Sequence, residues 1–176
     1  LRRMVDLLYK KGAKNILVLS LSDMPKTPYA KIHHLEVALR LLSVKHNKQL
    51  RNFLRKKRKK VRSSNDLDLK LIWMNVIPFV QELIRHKKEY GFSKLFEPCH
   101  HGFYGMYKGR TCPPEERGQY FFFDKLHPNS LVHCHLSLFL LRQFSKEGFL
   151  PADANYRSRE EKISTCNRLL SLYQQY

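Results

Sequence analysis

No apolar run in this 176-residue chain approaches the ~20 residues that a membrane-spanning helix needs. The longest, near Leu136 to Leu141, is far too short. No secretory signal is visible either, because Leu1-Arg2-Arg3 leads straight into a helix-like pattern. The chain starts with Leu rather than Met, as a processed product or a fragment would. Paired C-x-x-C and H-x-x-x-H spacings are missing, so Cys99, His100, His101 and Cys112 make a poor zinc set. No metal and no organic cofactor is expected. Carboxylates are scarce: 15 Asp and Glu stand against 33 Lys and Arg, a net charge of +18. That excess favours anionic partners such as phospholipid headgroups or nucleic acid and leaves the fold open.

What is present is globular. Hydrophobic residues make up 43% of the chain, with 11 Phe and 9 Tyr, too apolar for a disordered polymer. Met4, Val5, Leu7 and Leu8 recur at helical spacing, and Gly12 marks the stop. Ile16 to Leu21 is a continuous apolar run of strand length, the mark of a buried parallel strand. Helix, glycine and strand make half of a βαβ repeat. His33 to Leu54 reads as one long amphipathic helix with Leu35, Leu39, Leu42, Leu50 and Leu54 on its apolar stripe. Ser63 to Asp66 reads as a linker, and Leu69 to Ile77 as a second buried strand. Pro78 then opens a helix that ends near Tyr90-Gly91. An apolar helix runs from Leu131 to Gly148. Residues 1–150 are expected to form one α/β unit with parallel strands, and residues 151–176 a helical extension.

Arg51 to Arg62 carries eight cations. Arg55, Lys56, Lys57, Arg58, Lys59 and Lys60 are read first as a solvated helix end, where cations are favourable. Read as a binding patch, they suit an anionic phospholipid surface. Nucleic acid ranks last, because Phe53 alone is interleaved as a stacking aromatic.

The densest chemistry lies in Tyr120 to Leu136. Four aromatics in a row end at Asp124, and His127 and Pro128 follow. On a tight turn Asp124 can accept a proton from one ring nitrogen of His127. That fixes the tautomer and leaves the other nitrogen as a base. Pro128 pushes His127 out of the helical region, and Asn129 or Ser130 caps the helix that follows. His133 and His135 lie on that helix, one facing inward and one facing water. Cys99 and Cys112 flank a Gly- and Tyr-rich loop. In an oxidising space they can close a disulfide; in a reducing one they are two free thiols.

D-x-x-H-P after an aromatic run, with a further His at 133, resembles the last block of the GDSL/SGNH ester hydrolases, above all their phospholipase and thermolabile-haemolysin branch. Asn15 to Pro28 is similar to that branch's strand ending in a T-P loop. His46-Asn47-Lys48-Gln49-Leu50 is similar to its H-N-x-x-L helix. Tyr90-Gly91-Phe92, Glu97-Pro98-Cys99 and Cys112 are similar to its G-F, E-P-C and C segment. Order and spacing agree from about residue 12 to residue 145. The resemblance implies the carboxyl-terminal portion of a three-layer α/β/α, flavodoxin-like domain without its first strands. It implies His127 as general base, Asp124 as its orienting acid, and a loop-closing Cys99–Cys112 bridge. The substrate class is a carboxylic ester, a phospholipid or lysophospholipid acyl chain.

Departures matter as much. The chain has no G-D-S block and no G-x-N-D before Ile16; Asn65-Asp66 imitates the latter but follows the strand. Met74-Asn75 stands where the family has an Asp. With no nucleophile and no oxyanion donors, the chain alone is expected to be inactive: a truncated gene product, or one piece of a split enzyme whose companion chain carries the Ser half. The family is mostly exported; the compartment of this chain stays open. The competing expectation is a basic binding module that adsorbs to anionic lipid or nucleic acid.

Overall fold

The computed structural model describes residues 1–63, 69–102, 109–150 and 158–173. The expected linker beyond Ser63, the middle of the Cys99–Cys112 loop and the start of the extension lie outside these residues. The chain is mixed α/β and divides into two compact units. The first comprises Leu1–Pro25 and Leu35–Val80, the second Lys26–His34 and Gln81–Tyr176.

In the first unit, helix α1 (Arg2–Lys10) leads to strand β1 (Asn15–Leu19) through Gly12, whose φ of 90° gives the left-handed turn that ends the helix. Strand β2 (Lys70–Met74) pairs with β1 in parallel, with Ile16 opposite Leu71 and Val18 opposite Trp73. Those four side chains share one face of the sheet. Ile16, Val18 and Leu71 pack there with Val5 of α1 and with Leu50 and Leu54 of α3 (Glu36–Ser63). The helix expected over His33 to Leu54 starts later, at Glu36, and runs on to Ser63. Before it Thr27 and Pro28 start a separate short helix α2 (Pro28–Ile32), and His34 at φ 54° turns the chain between the two.

The inward stripe of α3 also differs from expectation. It runs through Ser43, Asn47, Leu50, Leu54 and Val61, a helical spacing, whereas Leu42 is exposed. Asn47 lies on it for a polar reason. Its Oδ1 accepts the Leu21 N–H at 2.9 Å and its Nδ2 donates to the Leu21 carbonyl at 3.1 Å, clamping the loop after β1. Ser20 closes the other side, accepting the Val76 N–H at 3.0 Å and donating to Asn75 at 3.3 Å.

In the second unit, strands β3 (Lys94–Pro98) and β4 (Tyr120–Phe122) form another parallel pair. β3 escapes the apolar pattern because Lys94 and Glu97 interrupt it. Phe121 packs on Phe92 with ring centroids 5.2 Å apart, and both are almost wholly buried. Helix α4 (Ile77–Arg85) precedes β3 in the chain, and helix α5 (Ser130–Lys146) follows β4. Helix α6 (Arg159–Tyr173), in the extension, packs against α5. A Cys134–Cys166 disulfide fastens the two. It closes 32 residues, worth about 3–4 kcal/mol by loop entropy. Arg159 adds bonds to Glu82 at 2.7 Å and Glu89 at 2.6 Å. Solvent screening keeps each such exposed pair small.

On α5, His133 is exposed and His135 is buried. The His135 ring meets Tyr90 edge-on at 4.9 Å, and its Nε2 has no hydrogen-bond partner. Burial, helped by the charge of Lys162, lowers its pKa to about 4. The unfolded chain, with an ordinary histidine near 6.5, therefore binds a proton that the native chain refuses. Stability should be undiminished above about pH 6.5 and fall by roughly 2–3 kcal/mol as pH drops toward 4. Urea unfolding across that range, wild type against His135→Leu, measures it; the variant should lose this part of the slope.

Candidate active site

Asp124 and His127 lie in the turn between β4 and α5, at the carboxyl end of a parallel strand, where α/β sheets place ligands. The turn is built by short-range bonds. Asp124 Oδ1 accepts the N–H groups of Leu126 and His127, both at 2.7 Å, so the carboxylate folds the chain around itself. Its Oδ2 receives His127 Nδ1 at 2.8 Å. An ionised carboxylate can only accept, so Nδ1 carries the hydrogen and Nε2 becomes the basic nitrogen.

The turn is fixed at its edges too. Phe123 N–H donates to the His127 carbonyl at 2.8 Å and Asn129 N–H to the Phe121 carbonyl at 3.0 Å. Asn129 is the helix cap: its Oδ1 accepts the Val132 N–H at 2.9 Å. Its amide nitrogen donates to the carbonyls of Arg117 and Tyr120, so one buried side chain ties β4 to α5. A third support comes from α2. Thr27 caps that helix by accepting the Ala30 N–H at 3.2 Å, and Pro28 is its first residue. The Tyr29 N–H, a helix-start donor with no partner inside α2, donates to the Lys125 carbonyl at 2.9 Å. The T-P segment thus braces the D-x-x-H turn from about 100 residues away in sequence, a distance that only the folded chain closes.

Burial separates the partners. The Asp124 side chain is 4% exposed, that of His127 59%. Burial alone would raise the Asp124 pKa, but the backbone bonds from His127 and Leu126 and the ring bond from His127 together hold it below the usual carboxylate range. The carboxylate is therefore ionised at neutral pH, sequestered and aimed at an accessible imidazole.

Next to this turn, Cys99 and Cys112 form a disulfide, with Cα atoms 4.9 Å apart. The Cys99 N–H donates to the Phe122 carbonyl at 3.1 Å, which joins the bridge to β4. His100 stacks on Phe123 at 5.8 Å and its Nδ1 meets Thr111 at 3.0 Å, a packed position. Among the described residues no group of three His, Cys, Asp or Glu side chains converges as a metal site would. The cationic run splits. Lys57 bonds to Asp6 at 2.7 Å and lies over the Tyr9 ring, while Arg55, Lys56, Arg58, Lys59 and Lys60 are exposed.

Sequence reasoning does not reach the bracing by Tyr29, the double clamp by Asn129 or the Cys134–Cys166 bond. A hydrogen bond from a backbone N–H leaves no mark in side-chain identity. The Thr-Pro and Pro-Asn-Ser capping signals are the nearest hints.

Asp124→Ala should destabilise the fold by roughly 2–3 kcal/mol at pH 7, because two N–H groups of a half-buried turn lose their acceptor. The lowered Asp124 pKa means that its stabilisation is complete above about pH 4 and vanishes as pH falls through the native value. Acid titration of the far-UV circular dichroism should show a flatter limb below pH 4 in Asp124→Asn than in wild type. No family model matches the chain, and no curated protein matches it.

Proposed function

We propose that the chain is the base-and-acid portion of a GDSL/SGNH-type ester hydrolase, and that a separate segment carries its nucleophilic serine. That segment either precedes Leu1 in a longer polypeptide or belongs to a companion chain. The observation that carries the reading is the Asp124–His127 pair: a buried, ionised carboxylate holding Nδ1 of an exposed imidazole.

In such an enzyme the serine hydroxyl attacks the ester carbonyl as Nε2 of His127 takes its proton. Asp124 stabilises the imidazolium that forms. The tetrahedral intermediate collapses, the C–O bond to the leaving alcohol breaks, and the imidazolium returns the proton to that alcohol. Water, or an acceptor alcohol in acyl transfer, then attacks the acyl-serine with His127 again as base. Oxyanion donors, each worth about 3 kcal/mol, must come from the serine-bearing segment. The phospholipid or lysophospholipid class rests on the sequence resemblance, and the basic character of the chain agrees with an anionic interface. The three-layer α/β/α arrangement belongs to the same proposal. It accounts for two short parallel sheets and for the apolar side chains left exposed on the first unit.

The test is reconstitution. The coding sequence upstream of Leu1 is read for a G-D-S block, and that segment is expressed with this chain. Release of p-nitrophenol from acyl esters should require both, and His127→Ala should lower kcat by at least about 10⁴-fold. Turnover by the chain alone that is lost in His127→Ala would show that its nucleophile is internal. Turnover of the pair that is indifferent to His127→Ala would overturn the proposal.

A further inference from the structure

In the first unit, helix α3 is covered on one flank and exposed on the other. Its buried stripe runs through Leu50 and Leu54, which share the sheet core with Val5 of α1. His46, Gln49 and Phe53 lie about 100° to one side of that stripe, at 3.6 residues per turn. Helix α1 takes this flank. The Arg2 guanidinium lies over the Phe53 ring at 5.8 Å, and Leu1, Arg2, His46 and Gln49 line one small hollow. Val44, Lys48, Arg51, Arg55 and Arg58 lie about 100° to the other side. There α3 and β2 border a cleft of about 940 Å³, with the half-buried Trp73 in its wall. Helix α1 and the cleft thus flank α3 on opposite sides of one helical layer over the β1–β2 sheet.

The exposed flank has a period of its own. Val37, Leu41 and Val44 begin it, and Lys48, Arg51, Arg55 and Arg58 continue it, in alternating steps of four and three. That is the a and d spacing of a helix that packs along another helix. The three apolar residues are 74%, 67% and 61% exposed. The four cations are exposed too, and among the described residues none of them is held in an ion pair. Among the described residues lining the cleft there is no Asp or Glu. Apolar and cationic residues are therefore segregated along the length of the seam, not around the helix.

We infer that this flank of α3 takes an amphipathic helix of a partner polypeptide, laid antiparallel to α3, acidic in its amino-terminal half and apolar in its carboxyl-terminal half. The order follows from charge. An antiparallel helix sets its first turns beside Lys48 to Arg58, and carboxylates there also suit its own macrodipole. A parallel helix would need those carboxylates in its last turns, where the dipole opposes them. Arg51, Arg55 and Arg58 take planar carboxylates in bidentate fashion. Val37, Leu41 and Val44 receive the apolar half. Other occupants match only part of the seam. A second copy of this seam brings no carboxylate. A nucleic acid leaves Val37 and Leu41 in water, and it finds one aromatic, Trp73, where stacking grooves offer several. A bilayer binds helices whose apolar and basic faces run side by side along the axis, whereas here the two classes divide the length. The inference stands apart from the hydrolase reading and does not depend on it.

Trp73 is the single tryptophan of the chain, so its emission reports the occupancy of the cleft. The full chain is titrated with a tryptophan-free helical peptide of about three heptads, with Glu at a and d in its amino-terminal half and Leu there in its carboxyl-terminal half. The same peptide with its halves exchanged and one with a central proline are the controls. A single-stranded oligonucleotide and phosphatidylserine vesicles complete the series. The first peptide should shift the emission saturably. Exchange of the halves should weaken it about threefold, and the proline roughly tenfold or more, because it breaks the helix. The Arg51→Gln, Arg55→Gln and the Leu41→Gln, Val44→Gln double variants, all at exposed positions, should keep the far-UV helical signal and each weaken the peptide roughly tenfold. No saturable shift, indifference to the proline or to either double variant, preference for the exchanged peptide, or tighter binding of the oligonucleotide or vesicles would overturn the inference.

Discussion

One buried carboxylate organises the part of this protein with most chemical potential. Asp124 accepts two backbone N–H bonds and one ring N–H bond within four residues of its own chain. The first two make the turn; the third orients the histidine. The shape of the turn and the orientation of the imidazole therefore share one side chain. Because the bonds are local, they cost little chain entropy beyond the turn itself. The long-range supports, Asn129 on β4 and Tyr29 on the Lys125 carbonyl, then hold that local geometry against the β3–β4 sheet and α2.

The same molecule is short of cover. Among the described residues its sheets have two strands each, fewer than independent stability usually requires. Met4, Leu7 and Leu8 on α1 and Val37, Leu41 and Val44 on α3 are exposed. Two disulfides fasten the second unit, one across the loop after β3 and one between α5 and α6. The first unit relies on its core and on polar clamps at the strand ends, through Ser20, Asn47 and Asn75. The net charge of +18 and these exposed apolar side chains agree with the proposal that a further segment completes the domain.

Much of this is legible in the sequence. Continuous apolar runs mark β1 and β2, because a strand buried in a parallel sheet has no polar face to display. D-x-x-H-P marks the turn, because Asp, the residue before proline and an Asn-Ser cap each restrict the backbone locally. Local rules fail where tertiary geometry decides. Leu42 fits the helical period of α3, yet it is Ser43 that is buried and Asn47 that is half-buried, the latter because the loop after β1 needs an amide. β3 carries charges at Lys94 and Glu97, and Lys94 is satisfied by Glu116 and Tyr120, residues no periodicity could bring to it. The partners of Cys134 and Cys166 depend on how α6 docks. A run of eight cations looks uniform in one dimension and divides into an ion pair and a cleft wall only when wound on a helix.

The claim beneath all of this is that the Asp124 carboxylate fixes the His127 imidazole with its proton on Nδ1. Nitrogen-15 NMR of the ring reads that directly. In the neutral imidazole, Nδ1 should be the protonated nitrogen in wild type, and the Asp124→Asn substitution should move the ring toward the Nε2–H form. A wild-type ring protonated on Nε2, or one indifferent to the substitution, would contradict the account.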